Sequence, residues 1–308
     1  MKTRKKLWIF LLSLFCLVLG GCGAQEGETE AEAPGVSWES LSFPQELEIL
    51  YATQFSAASS PEGYTKISIE DGLSYLVVPE GAAVPSGVPA EITVIQQPLD
   101  HIYLAATSAM DLFRALEAID KVTLSGVEAD GWYIPEAKEA MEQGRMEYAG
   151  KYRAPDYELL LSRSCDLAIE STMIYHTPEV KEQLEDFGVP VLVERSSYEN
   201  HPLGRMEWIK LYGLLLGRED AAAEYFDTQV EKLRDILQTE NTGKTVAFFY
   251  ITSNGAANVR KSGDYLAKAI ELAGGTYCSR ICRGKTMPRP LQTCRWRPSM
   301  PRQSKPMC

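Results

Sequence analysis

Between residues 92 and 194 the chain alternates short β-branched runs with stretches of helical spacing, and this constrains its fold more than any other feature. The runs are short and apolar, as strands buried on both faces are. We predict strands at 47–52, 92–95, 102–105, 122–124, 167–170 and 191–194. Strands that alternate with helices favour a parallel sheet with helices on its faces. The chain is therefore predicted to have an α/β fold.

Individual residues mark the starts of several intervening helices. Ser108 and Asp111 resemble a capping box at the start of one helix. Pro135 and Pro178 suit first-turn positions, where a missing N–H has no cost. Upstream of these helices, residues 67–69 and 75–78 are predicted to form a small extra hairpin.

From residue 203 the pattern changes to a long helical stretch. Apolar side chains recur at helical spacing on both sides of Gly217, which interrupts the pattern. We interpret this stretch as a rigid connector between two lobes. Beyond it we predict a polar linker at 238–244, a strand at 245–251 and a helix at 265–273, which together begin a second α/β lobe.

The N-terminus has the form of an export signal. A basic segment at 2–6 precedes an apolar run at 7–19 that is too short to span a bilayer but suits a signal peptide. The LGGC sequence ending at Cys22 resembles a lipobox, where cleavage leaves a lipidated cysteine; an ordinary signal peptide with an incidental cysteine is the alternative. Residues 23–35 are small and acidic, as in a disordered tether. We predict a lipid-anchored protein on the extracytoplasmic face of the cell membrane.

The charge distribution excludes one class of partner. The net charge is −11, and residues 23–277 hold all 42 acidic residues against 19 basic ones. A nucleic-acid partner is excluded, because phosphate neutralisation requires a basic face. The same body contains only Cys165, so it has no disulfide framework and must be held by a hydrophobic core.

The tail at 278–308 differs from the rest of the chain. It holds four cysteines, eight basic residues and five prolines without any acid, and it shows no strand or helix periodicity. Cys278 and Cys282 have finger-like spacing for zinc, but no histidine or second closely spaced pair accompanies them. A basic binding arm is another alternative. We favour a frame change after Tyr277, because the second lobe would otherwise be too short to close a core.

Several stretches in this order resemble the substrate-binding lipoproteins of ABC importers for iron–siderophore, haem and corrinoid ligands. They are APDYE at 154–158, CDLAIE at 165–170, GVPVLV at 188–193, LGREDAA at 216–222 and IELAGG at 270–275. The resemblance covers about residues 100–277 and implies two Rossmann-like lobes joined by one long rigid helix, with the second lobe incomplete here. The expected segments are a signal peptide at 1–21, the lipidated cysteine and tether at 22–43, the N-terminal lobe at 44–202, the connector at 203–240, the start of the second lobe at 241–277 and the tail at 278–308.

Candidate ligand-binding residues follow the predicted strands. Ligands of open α/β sheets bind beyond the carboxyl ends of the strands. Aromatic faces bind flat or apolar ligands, and guanidinium groups bind carboxylates or phosphates. An anionic chelate with an organic shell would suit both kinds of side chain. Arg195 and Tyr198 lead the set, whose other members are Trp132, Tyr133, Lys151, Tyr152, Ser171, Thr172, Met173, Tyr175, Ser196, Ser197 and Arg260.

The resemblance also implies a ligand and partners. The ligand would be a ferric siderophore, with haem and a corrinoid such as cobalamin open, and the protein would have no cofactor of its own. It would deliver this ligand as a monomer to an ABC permease and ATPase complex, on which Glu158 would dock. No protein metal site and no catalytic residue is expected, although His176 or His201 is open as a ligand of haem iron.

Two other function classes stay open. One is an exported, lipid-anchored enzyme, although the sequence contains no G-x-S-x-G, HExxH or P-loop motif. The other is a scaffold for envelope proteins. Saturable small-molecule binding distinguishes a transport protein from a scaffold, and turnover identifies an enzyme.

Overall fold

The computed structural model describes residues 35–253, 257–278 and 291–294. From Ser37 onward these residues belong to one unit. The predicted signal peptide, Cys22, the tether up to residue 34 and most of the tail lie outside the described residues. Among the helices that are described, none has the length and apolarity that a membrane crossing requires.

The first five strands form a mixed sheet, which we call sheet A. In spatial order they are β1 (Gln45–Glu46), β2 (Phe55–Ser59), β3 (Thr65–Ile69), β4 (Ser74–Val78) and β5 (Ile92–Gln96). Neighbouring strands are antiparallel except β4 and β5, which are parallel. The predicted hairpin is confirmed as β3 and β4. Its turn contains Asp71 and Gly72, and Gly72 has a φ of 95°, which glycine adopts without steric cost.

The predicted parallel sheet is confirmed, and we call it sheet B. The next strands are β6 (Ile102–Leu104), β7 (Val122–Ser125), β8 (Glu147–Tyr148), β9 (Gly150–Lys151), β10 (Ala154–Pro155), β11 (Leu167–Ser171) and β12 (Val191–Glu194). Sheet B has the order β12–β11–β6–β7–β8 with every pair parallel, while β9 and β10 form a separate antiparallel pair. The carboxyl ends of its strands therefore lie along one edge.

Helices connect these strands. The described α-helices are α1 (Met110–Ala115), α2 (Pro135–Glu142), α3 (Tyr157–Ser162), α4 (Pro178–Asp186), α5 (Pro202–Leu215), α6 (Glu219–Lys232), α7 (Arg234–Leu237) and α8 (Tyr265–Leu272), with 3-10 turns at Trp38–Ser40, Thr107–Ala109, Ile119–Lys121, Ala129–Gly131, Thr172–His176 and Ser196–Tyr198. Pro135 and Pro178 occupy first turns as predicted. The capping box at Ser108 is wrong, because Ala109 is the N-cap of α1 and the Ser108 hydroxyl donates to Glu194 at 2.9 Å.

Sheet B separates two hydrophobic cores. Ile102 and Ile169 face the larger core, which sheet A and α5 share. Tyr103 and Ala168 face the smaller core, to which α3 and α4 contribute. Burial on both faces explains why these strands are continuous apolar runs. Glu170, two residues after Ala168, is fully buried, and neither of its carboxyl oxygens has a hydrogen-bond partner.

The strand predicted at 47–52 is wrong, because buried carboxylates bind its backbone. Glu207 of α5 accepts from the N–H groups of residues 50, 51 and 52 at 2.9, 2.7 and 2.8 Å. Glu199 accepts from the N–H groups of residues 53 and 54 at 2.8 to 3.0 Å. We call Glu199, Glu207 and the backbone of residues 50–54 the carboxylate clasp. Since five consecutive donors are satisfied by side chains, this segment needs no strand partner.

The clasp requires close contact between the bound segment and α5. A Cβ added at Gly204 would lie 2.8 Å from the Tyr51 carbonyl oxygen, so only glycine allows this approach. The Lys210 ammonium lies 2.9 Å from Glu207 and donates to the Glu48 carbonyl at 2.8 Å. The indole N–H of Trp208 donates to Glu199 at 3.0 Å. The clasp therefore joins the start of sheet A to the buried face of α5.

The predicted connector consists of three helices, and it is interrupted at Gly217 as the sequence pattern indicates. Gly217 adopts a φ of 64° between α5 and α6, and a left-handed residue ends a helix. α5 is buried along most of its length and contacts α1, α6 and α8. It is therefore a core helix that lies between the N-terminal sheets and the C-terminal segment.

The C-terminal segment contains two small sheets. Its strands are β13 (Thr245–Val246), β14 (Phe249–Ile251), β15 (Ala257–Arg260), β16 (Thr276–Tyr277) and β17 (Leu291–Cys294). β13 pairs in parallel with β16, and β14, β15 and β17 form an antiparallel sheet. The single strand predicted at 245–251 is wrong, since β13 and β14 belong to different sheets and are exposed. The tail, whose sequence shows no strand periodicity, supplies β17, because backbone pairing does not require apolar periodicity.

Candidate functional site

The strands β11 and β12 each lead into a 3-10 turn, and the two turns bring several predicted site residues together. The Ser171 hydroxyl accepts from the backbone N–H of Met173 at 3.3 Å. The Thr172 hydroxyl donates to the Tyr198 hydroxyl at 3.5 Å. The side chains of Met173 and Tyr198 are nearly half exposed. This edge of sheet B therefore presents a thioether and a phenol to solvent.

Arg195 lies in a hydrogen-bonded network beside this edge. Its Nη1 is 3.1 Å from the Asp71 carboxylate, and its Nε and Nη2 donate to the Gln54 amide oxygen at 3.3 and 3.1 Å. Its guanidinium carbon lies 4.6 Å from the centroid of the Tyr198 ring. The Tyr175 hydroxyl donates to the same Asp71 oxygen. The side chains of Arg195 and Asp71 are only 15% and 16% exposed, so this ion pair is sheltered from water.

A cleft of about 700 Å³ lies between the turn after β12 and the start of α8. Three predicted site residues, Ser197, Tyr198 and Arg260, line it. The remaining lining residues are Glu199, Asn200, Arg205, Lys261, Ser262, Gly263, Asp264 and Tyr265. The cleft therefore brings together aromatic rings, hydroxyl groups and three basic side chains.

Arg205 joins the two walls of the cleft. Its Nε donates to the backbone carbonyl of Ser196 at 3.1 Å. Its guanidinium carbon lies 4.0 Å from the centroid of the Tyr265 ring at the start of α8. A guanidinium stacked on a ring keeps in-plane N–H groups for a carboxylate, a phosphate or a catecholate oxygen.

Both acids that line the cleft are bound by other groups. Glu199 is almost fully buried and belongs to the clasp. Asp264 caps α8 by accepting from the N–H of Leu266 at 2.9 Å, and its other carboxylate oxygen lies 3.4 Å from Arg260. Both carboxylates therefore already have hydrogen-bond partners within the protein. Although the chain as a whole is acidic, three cations line this cleft together with two engaged carboxylates, and one of the cations, Arg260, is paired with Asp264.

Four other predicted site residues lie elsewhere. Trp132 is only 7% exposed and its indole N–H donates to the Ser125 hydroxyl at 3.0 Å. It is a packing residue of the larger core, which corrects its place in the predicted set. Tyr133 is 98% exposed. Lys151 and Tyr152 belong to the β9–β10 hairpin, and neither they nor Tyr133 line the cleft.

The other predicted roles concern Ser196, Glu158 and the histidines. Ser196 is buried, and its N–H donates to Glu194 at 2.7 Å. This hydrogen bond stabilises the turn after β12. Glu158 is exposed in the first turn of α3. His201 is the N-cap of α5, where its Nδ1 accepts from the N–H of Leu203 at 3.2 Å. Burial lowers the pKa of His201, and the positive charge of Lys268 lowers it further. In the described part of the chain, no group of three or more His, Cys, Asp or Glu side chains could hold a metal ion.

Comparison with known proteins gives distant relatives. No family model matches the chain. An uncharacterized lipoprotein of Methanocaldococcus jannaschii is 22% identical over 214 residues, which cover 65% of this chain and 50% of the relative. The chain therefore spans half the length of the curated relative that it matches.

Two solved structures align with part of the chain. A periplasmic binding protein from Veillonella parvula shares 16% identity over 64% of this chain and 65% of its own, with a TM-score of 0.50. The fold of the matched part is that of a periplasmic binding protein. The periplasmic haem-binding protein HutB of Vibrio cholerae shares 21% identity over 57% of this chain and 64% of its own, with a TM-score of 0.48.

Four residues of this region are not among the predicted site residues. Arg205 lies in an apolar helix that was interpreted only as a connector, and Tyr265 lies in the first turn of a predicted helix. A basic residue within a mostly buried helix is a signal that could have singled out Arg205. Asp71 and Gln54 come from loops of sheet A, and no local pattern relates them to Arg195.

Proposed function

We propose that this protein is an extracytoplasmic solute-binding protein of an ABC importer. The cleft between the β12 turn and α8 carries this proposal, because it combines ring faces with guanidinium groups at one concave site. The likeness in fold to a periplasmic binding protein agrees with it. In this account the protein captures its ligand in the cleft and delivers it to a permease and ATPase complex.

The proposed ligand is an anionic metal chelate with an organic shell, with a ferric siderophore as the first choice. Tyr198 and Tyr265 would contact its aromatic or aliphatic surface. Arg205 and Arg260 would bind its anionic oxygens. Haem and a corrinoid are the alternative ligands. The basic side chains of the cleft favour a ligand that carries acidic groups.

The proposed location and docking rest on residues outside the cleft. Cys22 would carry the lipid anchor, and the relative from Methanocaldococcus jannaschii is itself named a lipoprotein. Glu158 would contact the permease, since it is an exposed acid in the first turn of α3. Labelled palmitate should be incorporated into the wild type but not into Cys22→Ser, and equal incorporation into both would contradict the anchor.

We expect Arg205→Ala to weaken the binding of an anionic chelate about tenfold or more, because it removes a cation and a stacked ring contact from the cleft. Isothermal titration with a ferric tris-catecholate, haemin and cyanocobalamin measures this. The wild-type protein should bind at least one of the three saturably with one molecule per chain.

Arg163→Ala is the matched control for this substitution. Arg163 follows α3 and forms an ion pair with Glu147, away from the cleft. The control should bind as the wild type does. Equal affinity of Arg205→Ala and wild type would contradict the proposed site, and catalytic conversion of a probe would favour the enzyme alternative.

A further inference from the structure

Arg195 and Asp71 form an ion pair beside the cleft. The turn between β3 and β4 carries Asp71 to the carboxyl edge of sheet B, where its carboxylate meets the Arg195 guanidinium at 3.1 Å. The pair lies directly behind Tyr198, since the guanidinium stacks on this ring and the ring lines the cleft. An unpaired positive charge on Arg195 would attract an anionic ligand in the cleft, because the two would be close together and partly shielded from water.

We propose that Asp71 is a specificity-determining residue that neutralises Arg195 and thereby limits how strongly the cleft attracts anionic ligands. This inference rests on the proposed function. The neutralised Arg195 positions Tyr198, while the attraction for anionic groups comes mainly from Arg205, whose described contacts are a backbone carbonyl and an aromatic ring.

The contacts of Arg195 support this division of roles. Its Nε, Nη1 and Nη2 all donate within the protein, to Gln54 and Asp71. The Asp71 carboxylate also accepts from the Tyr175 hydroxyl and from the backbone N–H of Leu73. An asparagine at position 71 has one acceptor oxygen, which can take the place of the Asp71 oxygen that accepts from Arg195 and Tyr175. The substitution therefore removes the charge with little change of shape.

The first test of this inference requires no ligand. Phenylglyoxal labels accessible, unpaired arginines, and mass spectrometry of digested protein measures labelling of Arg195. We expect D71N to increase this labelling several-fold relative to wild type and to Asp130→Asn, a control whose side chain is fully exposed. Equal labelling of Arg195 in wild type and D71N would overturn the inference.

The second test compares a charged probe with a neutral one. We expect D71N to bind haemin, which carries two propionates, about three- to tenfold more tightly, with no change for cyanocobalamin, and the gain should shrink at high salt. The double variant D71N/R195Q should lose the gain, because it also removes the cation that D71N leaves without its carboxylate partner. An equal change for both probes, or a gain that persists in the double variant, would overturn the inference. If wild type and D71N bind none of the probes, the proposed function fails, and the role of Asp71 in ligand selection fails with it.

Discussion

Glu207→Gln is expected to lower the free energy of unfolding by roughly 3–5 kcal/mol, the usual cost of breaking a buried ion pair by removing one partner. The Glu207 carboxylate accepts three backbone N–H groups and pairs with Lys210, and its side chain is completely buried. A glutamine has one acceptor oxygen and turns two donors toward the N–H groups that the other oxygen held. Lys210 would also lose its only carboxylate partner among the described contacts.

Urea unfolding at neutral pH measures this loss. Glu182→Gln is the matched control, because Glu182 is exposed on α4, and its stability should equal that of the wild type. A Glu207→Gln protein as stable as the control would contradict the clasp.

The stability that the clasp contributes also depends on pH. Its hydrogen bonds and Lys210 hold the pKa of Glu207 below its usual value although burial raises it, so the stability it contributes at neutral pH is lost as the pH falls through this lowered pKa.

Glu170→Gln is expected to have the opposite effect and to stabilise the protein. Burial without a partner raises the pKa of Glu170 to about 9. The folded protein therefore holds this carboxyl neutral at pH 7, while the unfolded chain releases the proton. For each pH unit above the pKa of the unfolded state, up to the pKa of the folded state, the free energy of unfolding falls by about 1.4 kcal/mol. At pH 7 this penalty is about 3 kcal/mol. Glutamine has no proton to release and avoids this penalty.

The pH dependence identifies the cause of this stabilisation. Because the pKa of Glu170 is higher in the folded protein than in the unfolded chain, a rising pH favours the unfolded chain. The advantage in unfolding free energy of Glu170→Gln over wild type should therefore grow from about pH 5 to pH 8. Urea unfolding of both proteins at several pH values measures the difference between them. A constant difference over this range would show that Glu170 is already ionised in the folded protein and would contradict its burial as a neutral acid.

The parallel sheet was predictable because its signal is local. Strands buried on both faces require continuous apolar runs, and the runs at 102–105, 167–170 and 191–194 all became strands of sheet B. Glu170 was included in one of these runs without any sign that it would be buried alone. Its neighbours in sequence determine the strand, whereas the lack of a partner depends on the side chains that the fold packs around it.

The clasp and the cleft were less predictable because their contacts are distant in sequence. The run at 47–52 looks like a strand, and only the carboxylate of Glu207, more than 150 residues away, replaces strand pairing. Like Arg205, Glu207 is marked only as a charged residue within an apolar helix, and that mark does not identify its partners. In the same way, the sequence places Arg195 directly after a strand of sheet B, but its pairing with Asp71 depends on how sheet A lies beside sheet B.

The position of a bound metal chelate is the most direct test of the proposed cleft. Crystals of the protein grown with the ferric probe that binds most tightly allow the iron to be located by its anomalous scattering. We predict one iron peak between Tyr198 and Tyr265, with anionic oxygens of the chelate on Arg205 or Arg260. An iron peak elsewhere on the protein, such as beside the exposed Tyr133, would contradict the account.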